Sequence, residues 1–254
     1  MSRINLLLLQ VLVAVVSIAL WYVLTTYPVF GRMLLPPFFF SNPVDVAKQI
    51  VAWFASGVIW KHLWVTLIES LLAFVIGSIG GVLVGFWFAR QPRTAAVFDP
   101  YVKMINALPR VVLAPLFVIW LGIDLASKVA LAFILVAVVI FFTVFNGIRQ
   151  VDRKLVERIV TLGGGRWDLV RHVYLPSVAA WVLGNLKIAV GFAFTGACVG
   201  EFVAASRGLG YLLSFAQSTY NSALMFALIF LIMVVVLLIF AIAGRLEQYL
   251  LRWS

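Results

Sequence analysis

The sequence predicts an all-α membrane protein with six transmembrane helices, and three observations carry that prediction. Hydrophobic residues make up 65% of the chain and charged residues only 11%, with a mean hydropathy of +1.13. Soluble domains carry about 25% charged residues, so a water-soluble fold would lack the polar side chains to cover itself. Apolar blocks of about twenty residues recur along the chain, the length at which a helix crosses ~30 Å of hydrocarbon. Finally, the basic residues between these blocks collect on alternate loops, as the loops of a multi-span protein do.

Taken in order, the first, fourth and sixth spans are Asn5–Leu24, Val129–Ile148 and Leu224–Ala243, each free of charge. The second, Val65–Phe88, carries one carboxylate, Glu69, and the fifth, Ala179–Gly200, carries Lys187. The third has an uncharged core only over Val111–Ile123, and the loop parity of a six-span chain extends it back through Arg110 and Pro109 to Tyr101. No separate soluble domain flanks these spans, so residues 1–254 read as one membrane domain. The N-terminal block is longer than the apolar region of a signal peptide and no A-x-A-like site follows it, so it is expected to be retained.

With six spans, both termini share a side with the loops after spans two and four. That side holds Arg3, Arg90, Arg93, Arg149, Arg153, Lys154, Arg158, Arg166, Arg171, Arg245 and Arg252; the other holds Arg32, Lys48, Lys61, Lys128 and Arg207. The rich side is cytoplasmic by the positive-inside rule. The net charge of +10 therefore reads as topology and contact with the lipid bilayer, and no soluble basic domain exists to bind nucleic acid.

Between spans one and two, the prolines of "LLPPFFFSNP" give way after Asn42-Pro43 to an apolar-polar periodicity, which predicts a helix, either lying on the outer membrane surface or an ordinary loop helix with no role in transport. Span two repeats small residues at Ala73, Gly77, Gly81 and Gly85, and span five does so at Ala189, Ala193 and Ala197, with Gly196 and Gly200 on another face. Such spacing lets helix backbones approach closely. The single cysteine, Cys198, excludes an intrachain disulfide and reads as a packed thiol, and His62 and His172 are too far apart, and too exposed by topology, for a metal site.

The loop 149–176 breaks the apolar pattern. Val151, Leu155, Ile159 and Leu162 follow a helical spacing, Gly163, Gly164 and Gly165 supply a turn, and Trp167, Val170 and Val173 line a second short helix that Leu175-Pro176 stops before span five. A phosphate-cradling loop is excluded, because no strand precedes the glycines and Arg166-Trp167 stands where G-K-[ST] would be needed.

This loop resembles the integral permease subunits of ABC importers, whose cytoplasmic signature is E-A-A, three residues, G, nine residues, I, one residue, L-P. Glu157 takes the glutamate place, Gly163 the glycine, Val173 the isoleucine and Leu175-Pro176 the close, while Arg158 and Ile159 replace the two alanines. "LGIDLASKVAL" and "VGEFVAASRGLGYLL" extend the resemblance, which runs from about Leu63 to Trp253 and is most similar to the branch importing nitrate, sulfonates, taurine, bicarbonate or thiamine-precursor pyrimidines.

The resemblance implies a type I ABC importer permease fold and a homodimer. It also implies a coupling helix offered to two cytoplasmic ATPase subunits and an extracytoplasmic substrate-binding protein on the other face. ATP and Mg would sit on the ATPase, with no cofactor in this chain. Glu157, Gly163, Gly164, Arg166, Trp167, Leu175 and Pro176 are the expected coupling residues; Gly163 would set the bend, Glu157 would pair with a basic group, and Trp167 would anchor in a pocket. Ionisable groups inside spans are costly and mark pathways by default. Glu69 and Glu201, with Asn106, Pro109 and Arg110 on a proline-kinked third span, are therefore the candidates for the translocation path or gate, while Lys187, nearer the cytoplasmic end, needs either an interior partner or a reach to the cytoplasmic headgroups. An intramembrane enzyme is the rival class, but the chain has no H-E-x-x-H, no G-x-S-x-G and no paired intramembrane aspartates. A passive channel would leave the spacing of the loop without a role.

Overall fold

The computed structural model describes residues 3–28 and 32–250; Arg252 and Trp253 lie outside the described residues. The architecture is helical. Helix α1, Arg3–Thr26, is apolar on every side and is held chiefly through its last turns. There Trp21 stacks on Phe230 with ring centroids 5.8 Å apart, and its Nε1 donates to the Phe40 carbonyl at 3.3 Å. A short turn of helix, α2 (Pro37–Phe40), leads to α3 (Pro43–Ser56), which starts where Asn42-Pro43 predicts. Asn42 accepts the Asp45 amide at 2.8 Å, Pro43 fills the first helical position, and Gly57 at φ +72° ends the helix. Val46 and Trp53 of α3 are buried in a cluster with Ile59, Leu209 and Leu228, so this helix is packed into the bundle along one face.

Helix α4, Val58–Arg90, has 33 residues and begins about two turns before the expected start of span two. The expected third span, 101–123, is not one helix. It is a pair, α5 (Pro92–Ala107) and, after a 3₁₀ turn at Arg110–Leu113, α6 (Ala114–Leu121), bent by 85°. Pro109 is the cause: its ring forces Leu108 out of the helical region to φ −69°, ψ 129°, and it has no N–H to continue the ladder. Among the described residues five helices are long and apolar enough to cross a membrane, and the count reaches six if this bent pair forms one span.

Helix α7, Leu125–Arg149, is the centre of the bundle. The small-residue stripe of α4 lies against it: a Cβ on Gly77 would stand 2.8 Å from Val136 Cβ, and one on Gly81 2.7 Å from the Ala137 carbonyl oxygen. On the other flank α11 (Leu186–Val203) presses Gly196 to α7, where a Cβ would lie 2.5 Å from Ala132 Cα. These contacts are too close for any larger residue, and they give α4, α7 and α11 a continuous backbone-to-backbone interface.

The expected fifth span, 179–200, is also divided. After α8 (Arg153–Thr161) and α9 (Arg166–Leu169), α10 (Leu175–Gly184) ends at Asn185 (φ −103°, ψ 8°) before α11 begins. The chain then forms α12 (Leu209–Ser218) and the last span, α13 (Ser222–Leu250). Lys187 takes an interior partner: it pairs with Glu247 of α13 at 3.1 Å, over Gly244, whose missing side chain makes the room.

Candidate coupling hairpin and buried polar cluster

The loop 149–176 folds as a capped helical hairpin. Asp152 caps α8 by accepting the Lys154 amide at 2.9 Å. At the far end Gly163 adopts φ +81°, its N–H donates to the Val160 carbonyl at 3.0 Å, and the Gly164 N–H reaches back to Ile159 at 2.9 Å. This pair of bonds is a Schellman motif, and its left-handed position requires glycine or a close substitute. Gly164 is constrained by space instead, since a Cβ there would meet Ile159 Cγ2 at 2.6 Å. Asp168 closes the turn by accepting the Gly165 N–H at 2.8 Å, which starts α9.

Two details differ from the sequence reading. Leu175-Pro176 does not stop the second helix. The chain passes from α9 through a π turn at Val170–Tyr174 into α10, with Leu175 N–H bonded to the Val170 carbonyl. The wider turn takes up the register that a proline without an N–H would otherwise break. Glu157 does pair with a basic group, but that group is Arg153 on its own helix, at 3.1 Å and largely exposed. Such a pair contributes only about 0.3–0.5 kcal/mol.

What the hairpin exposes is apolar. Trp167 is 73% exposed and Leu162 78%, with Leu155, Val160 and Leu175 also open, while Arg166 stands beside them. Its root is firm: Val173 and Val178 are buried, Tyr174 receives the Arg90 guanidinium over its ring at 5.4 Å, and Trp181 covers Gly147 on α7.

The second group lies where α4, α7 and α11 meet. Glu201 is 1% exposed and accepts two bonds of 2.7 Å, from Thr66 Oγ1 and from the Gly210 N–H. Thr66 Oγ1 in turn accepts the Leu209 N–H at 2.9 Å, and His62 Nδ1 lies 3.2 Å from the Gly208 amide. Glu201 thus clamps the segment Gly208-Leu209-Gly210 onto α4. Gly208, at φ +109°, has no room for a Cβ, which would overlap the Glu201 carboxyl. Glu69 lies beside Glu201, buried, with no hydrogen-bond partner for its Oε2 among the described residues.

Lys128 completes the cluster. Its place in the sequence predicts an outer loop, but α7 begins three residues earlier and buries it to 1% exposure, where its Nζ donates to the carbonyls of Ile123 and Asp124 near Glu69 and Glu201. His62, expected to be exposed, is half-buried and bonded. Thr66 carries no signal of its own in the sequence, although His62, Thr66, Glu69 and Ser70 fall on one face of α4 at spacings of four, three and one. Asn106 and Arg110 pair with each other at 2.7 Å across the break between α5 and α6. Among the described residues they share no hydrogen bond with Glu69 or Glu201. No group of three His, Cys, Asp or Glu side chains able to hold a metal is present among them either.

The described residues thus form a multi-span helical bundle with an anchored hairpin and a buried polar junction. Residues 77–252 match the family described as binding-protein-dependent transport system inner membrane component, and the chain belongs to that family. It is similar to the riboflavin transport system permease protein RibX of Chloroflexus aurantiacus, 32% identical over 86% of this chain and 82% of the relative. It is also similar to the taurine transport system permease protein TauC of Escherichia coli, 24% identical over 94% of this chain and 86% of the relative. The fold matches a chain of the inward-facing MetNI methionine ABC transporter with a TM-score of 0.67 at 19% identity, over 77% of this chain and 99% of that one. The chain is therefore a multi-pass inner-membrane permease subunit of the ABC importer type and not an enzyme; membership implies that ATP is used by a partner ATPase and that a substrate-binding protein delivers the cargo.

Proposed function

We propose that two copies of this chain form the translocation path of an importer for a small polar or anionic solute of the nitrate, sulfonate, taurine or bicarbonate type. Each copy offers the hairpin 149–176 to one of two cytoplasmic ATPase subunits, with both termini on that same side. The observation that carries this reading is the hairpin's surface: large apolar side chains, Leu162 and Trp167, held open on a turn whose geometry is fixed by Gly163. Apolar groups on a rigid, capped turn are what a partner's cleft needs as a lever, because packing fixes their register. Glu157, Gly164, Arg166, Leu175 and Pro176 serve this seat as its flank and root. Glu69 and Glu201 act at the gate, and Asn106, Pro109 and Arg110 set the corner at the break between α5 and α6.

Coexpression of this chain with its ATPase subunit tests the proposal. The two copurify, and Trp167→Ala weakens the complex while the chain still reaches the membrane; copurification indifferent to Trp167 and Leu162 contradicts it. A second reading, a heterocycle such as a thiamine-precursor pyrimidine as cargo, is favoured by the similarity to a riboflavin permease. Mass spectrometry of the small molecule carried by the partner binding protein distinguishes the two.

A further inference from the structure

At the end of the molecule opposite the hairpin, a cavity of about 340 Å³ opens between the start of α4 and the segment leading into α12, lined by Lys61, His62, Ser206, Arg207, Tyr211 and Phe215 among others. Its polar lining has one character. Lys61 and Arg207 are exposed cations with no ion pair among the described residues, and no carboxylate lines the cavity. The acid behind the pocket is committed elsewhere: Glu201 is buried under Gly208 and Gly210 and accepts the Gly210 N–H.

His62 is fixed in place. Its ring stacks on Tyr211, with centroids 5.9 Å apart and planes within 6°, and its Nδ1 is tied to the Gly208 backbone at 3.2 Å. Nε2 is the ring nitrogen left uncommitted. A fixed imidazole, a guanidinium, an ammonium and the Ser206 hydroxyl around one small cavity form a donor set with no acceptor charge to balance it, and a guanidinium binds planar oxyanions in bidentate fashion.

We infer that this pocket is a binding site for a single oxyanion group, a carboxylate or a sulfonate, at the outer mouth of the permease. The inference rests on the topology proposed above, which places this end outside. The group comes either from a free anionic solute or from an acidic side chain of the docked binding protein. Because His62 and Gly208 join the pocket to the Glu201 clamp, an anion seated there bears directly on the segment that closes over Glu201.

The test is acetylation of lysines in the intact permease–ATPase complex in nanodiscs, where both faces are accessible, read by mass spectrometry with Lys48 as internal control. Methanesulfonate is the probe and dimethyl sulfone its neutral counterpart. At about ten times the half-saturating concentration, methanesulfonate slows Lys61 acetylation about tenfold relative to Lys48, dimethyl sulfone does not, and Arg207→Gln abolishes the protection; this result supports the site with a free solute as its ligand. Protection seen only with the binding protein present, and lost in Arg207→Gln, supports it with an acidic side chain as the ligand. Lys61 acetylation unchanged in both arms, or protection by the binding protein that Arg207→Gln leaves intact, overturns the inference. A membrane-impermeant reagent on sealed, oriented vesicles separately reports which side Lys61 faces, so a failure of topology is distinguishable from a failure of the site.

Discussion

Replacing Glu201 measures how strongly the polar clamp holds α11, α12 and α4 together. In Glu201→Ala, the Gly210 N–H loses its acceptor inside the protein, whereas the Thr66 hydroxyl retains an alternative at 3.2 Å in the His62 carbonyl. One orphaned buried N–H costs about 1–3 kcal/mol, and the space left by the removed carboxymethyl group adds about 1–2 kcal/mol. The expected destabilisation is therefore about 3 kcal/mol, or roughly 6–12 °C in Tm for a chain of this size. Glu201→Gln keeps a carbonyl oxygen for Gly210 and an amide for Thr66, and it costs about 1 kcal/mol. The assay is thermal unfolding of the purified complex in lipid nanodiscs.

A double-mutant cycle sharpens this test. Gly208→Ala is destabilising by itself because its Cβ overlaps the Glu201 carboxyl and its φ is +109°. In the Glu201→Ala background the overlap is gone and only backbone strain remains, so the two losses add to less than their sum. Equal Tm values for Glu201→Ala and Glu201→Gln, or strict additivity with Gly208→Ala, would refute the clamp.

Three further outcomes follow from the same geometry. Gly163→Val strains the left-handed position by about 1–2 kcal/mol and lowers transport per ATP hydrolysed without changing membrane insertion, whereas Gly163→Asn, which tolerates that conformation, retains most of the coupling; uptake and hydrolysis in proteoliposomes read both. Gly81→Leu cannot be accommodated against Ala137 and Ile140 and costs at least about 3 kcal/mol, seen as loss of folded protein in gel filtration, while Leu83→Ala on the exposed face of the same helix stays near wild type. Lys187→Ala and Glu247→Ala show a coupling of about 0.5–1 kcal/mol in a double-mutant cycle on thermal unfolding, small because the Lys187 side chain is 46% exposed.

The sequence was most informative where a signal was local and unopposed. Four long apolar blocks became α1, α4, α7 and α13, because in a bilayer no other structure satisfies their backbones. The turn of the hairpin was legible for a similar reason: Gly163, Gly164 and Gly165 specify it through nearest neighbours alone, whereas the Asp152 cap of α8 was not singled out. The kink of the third span was legible from Pro109, but its size was not: composition says nothing about direction, and the chain turns there by 85°. Pro176 gave the opposite error; the sequence marks it as a stop, yet a π turn absorbs it. Lys128 was least legible. A lysine at the edge of an apolar block reads as a loop residue, and its burial is offset by the Ile123 and Asp124 carbonyls together with the tertiary approach of Glu69 and Glu201, from helices far away in sequence.

The central claim is that the exposed tip of the hairpin is seated in an ATPase subunit. Cys198 is the single cysteine of the chain and lies within the helical bundle, so after its replacement by alanine a lone thiol introduced at position 167 reports the tip alone. Oxidative cross-linking of Trp167→Cys to a panel of single cysteines in the ATPase cleft, with and without ATP, tests that claim most directly. The account predicts a specific cross-linked pair whose yield persists through the nucleotide cycle; a thiol at position 167 that is freely alkylated in the assembled complex and links to no ATPase position would contradict it.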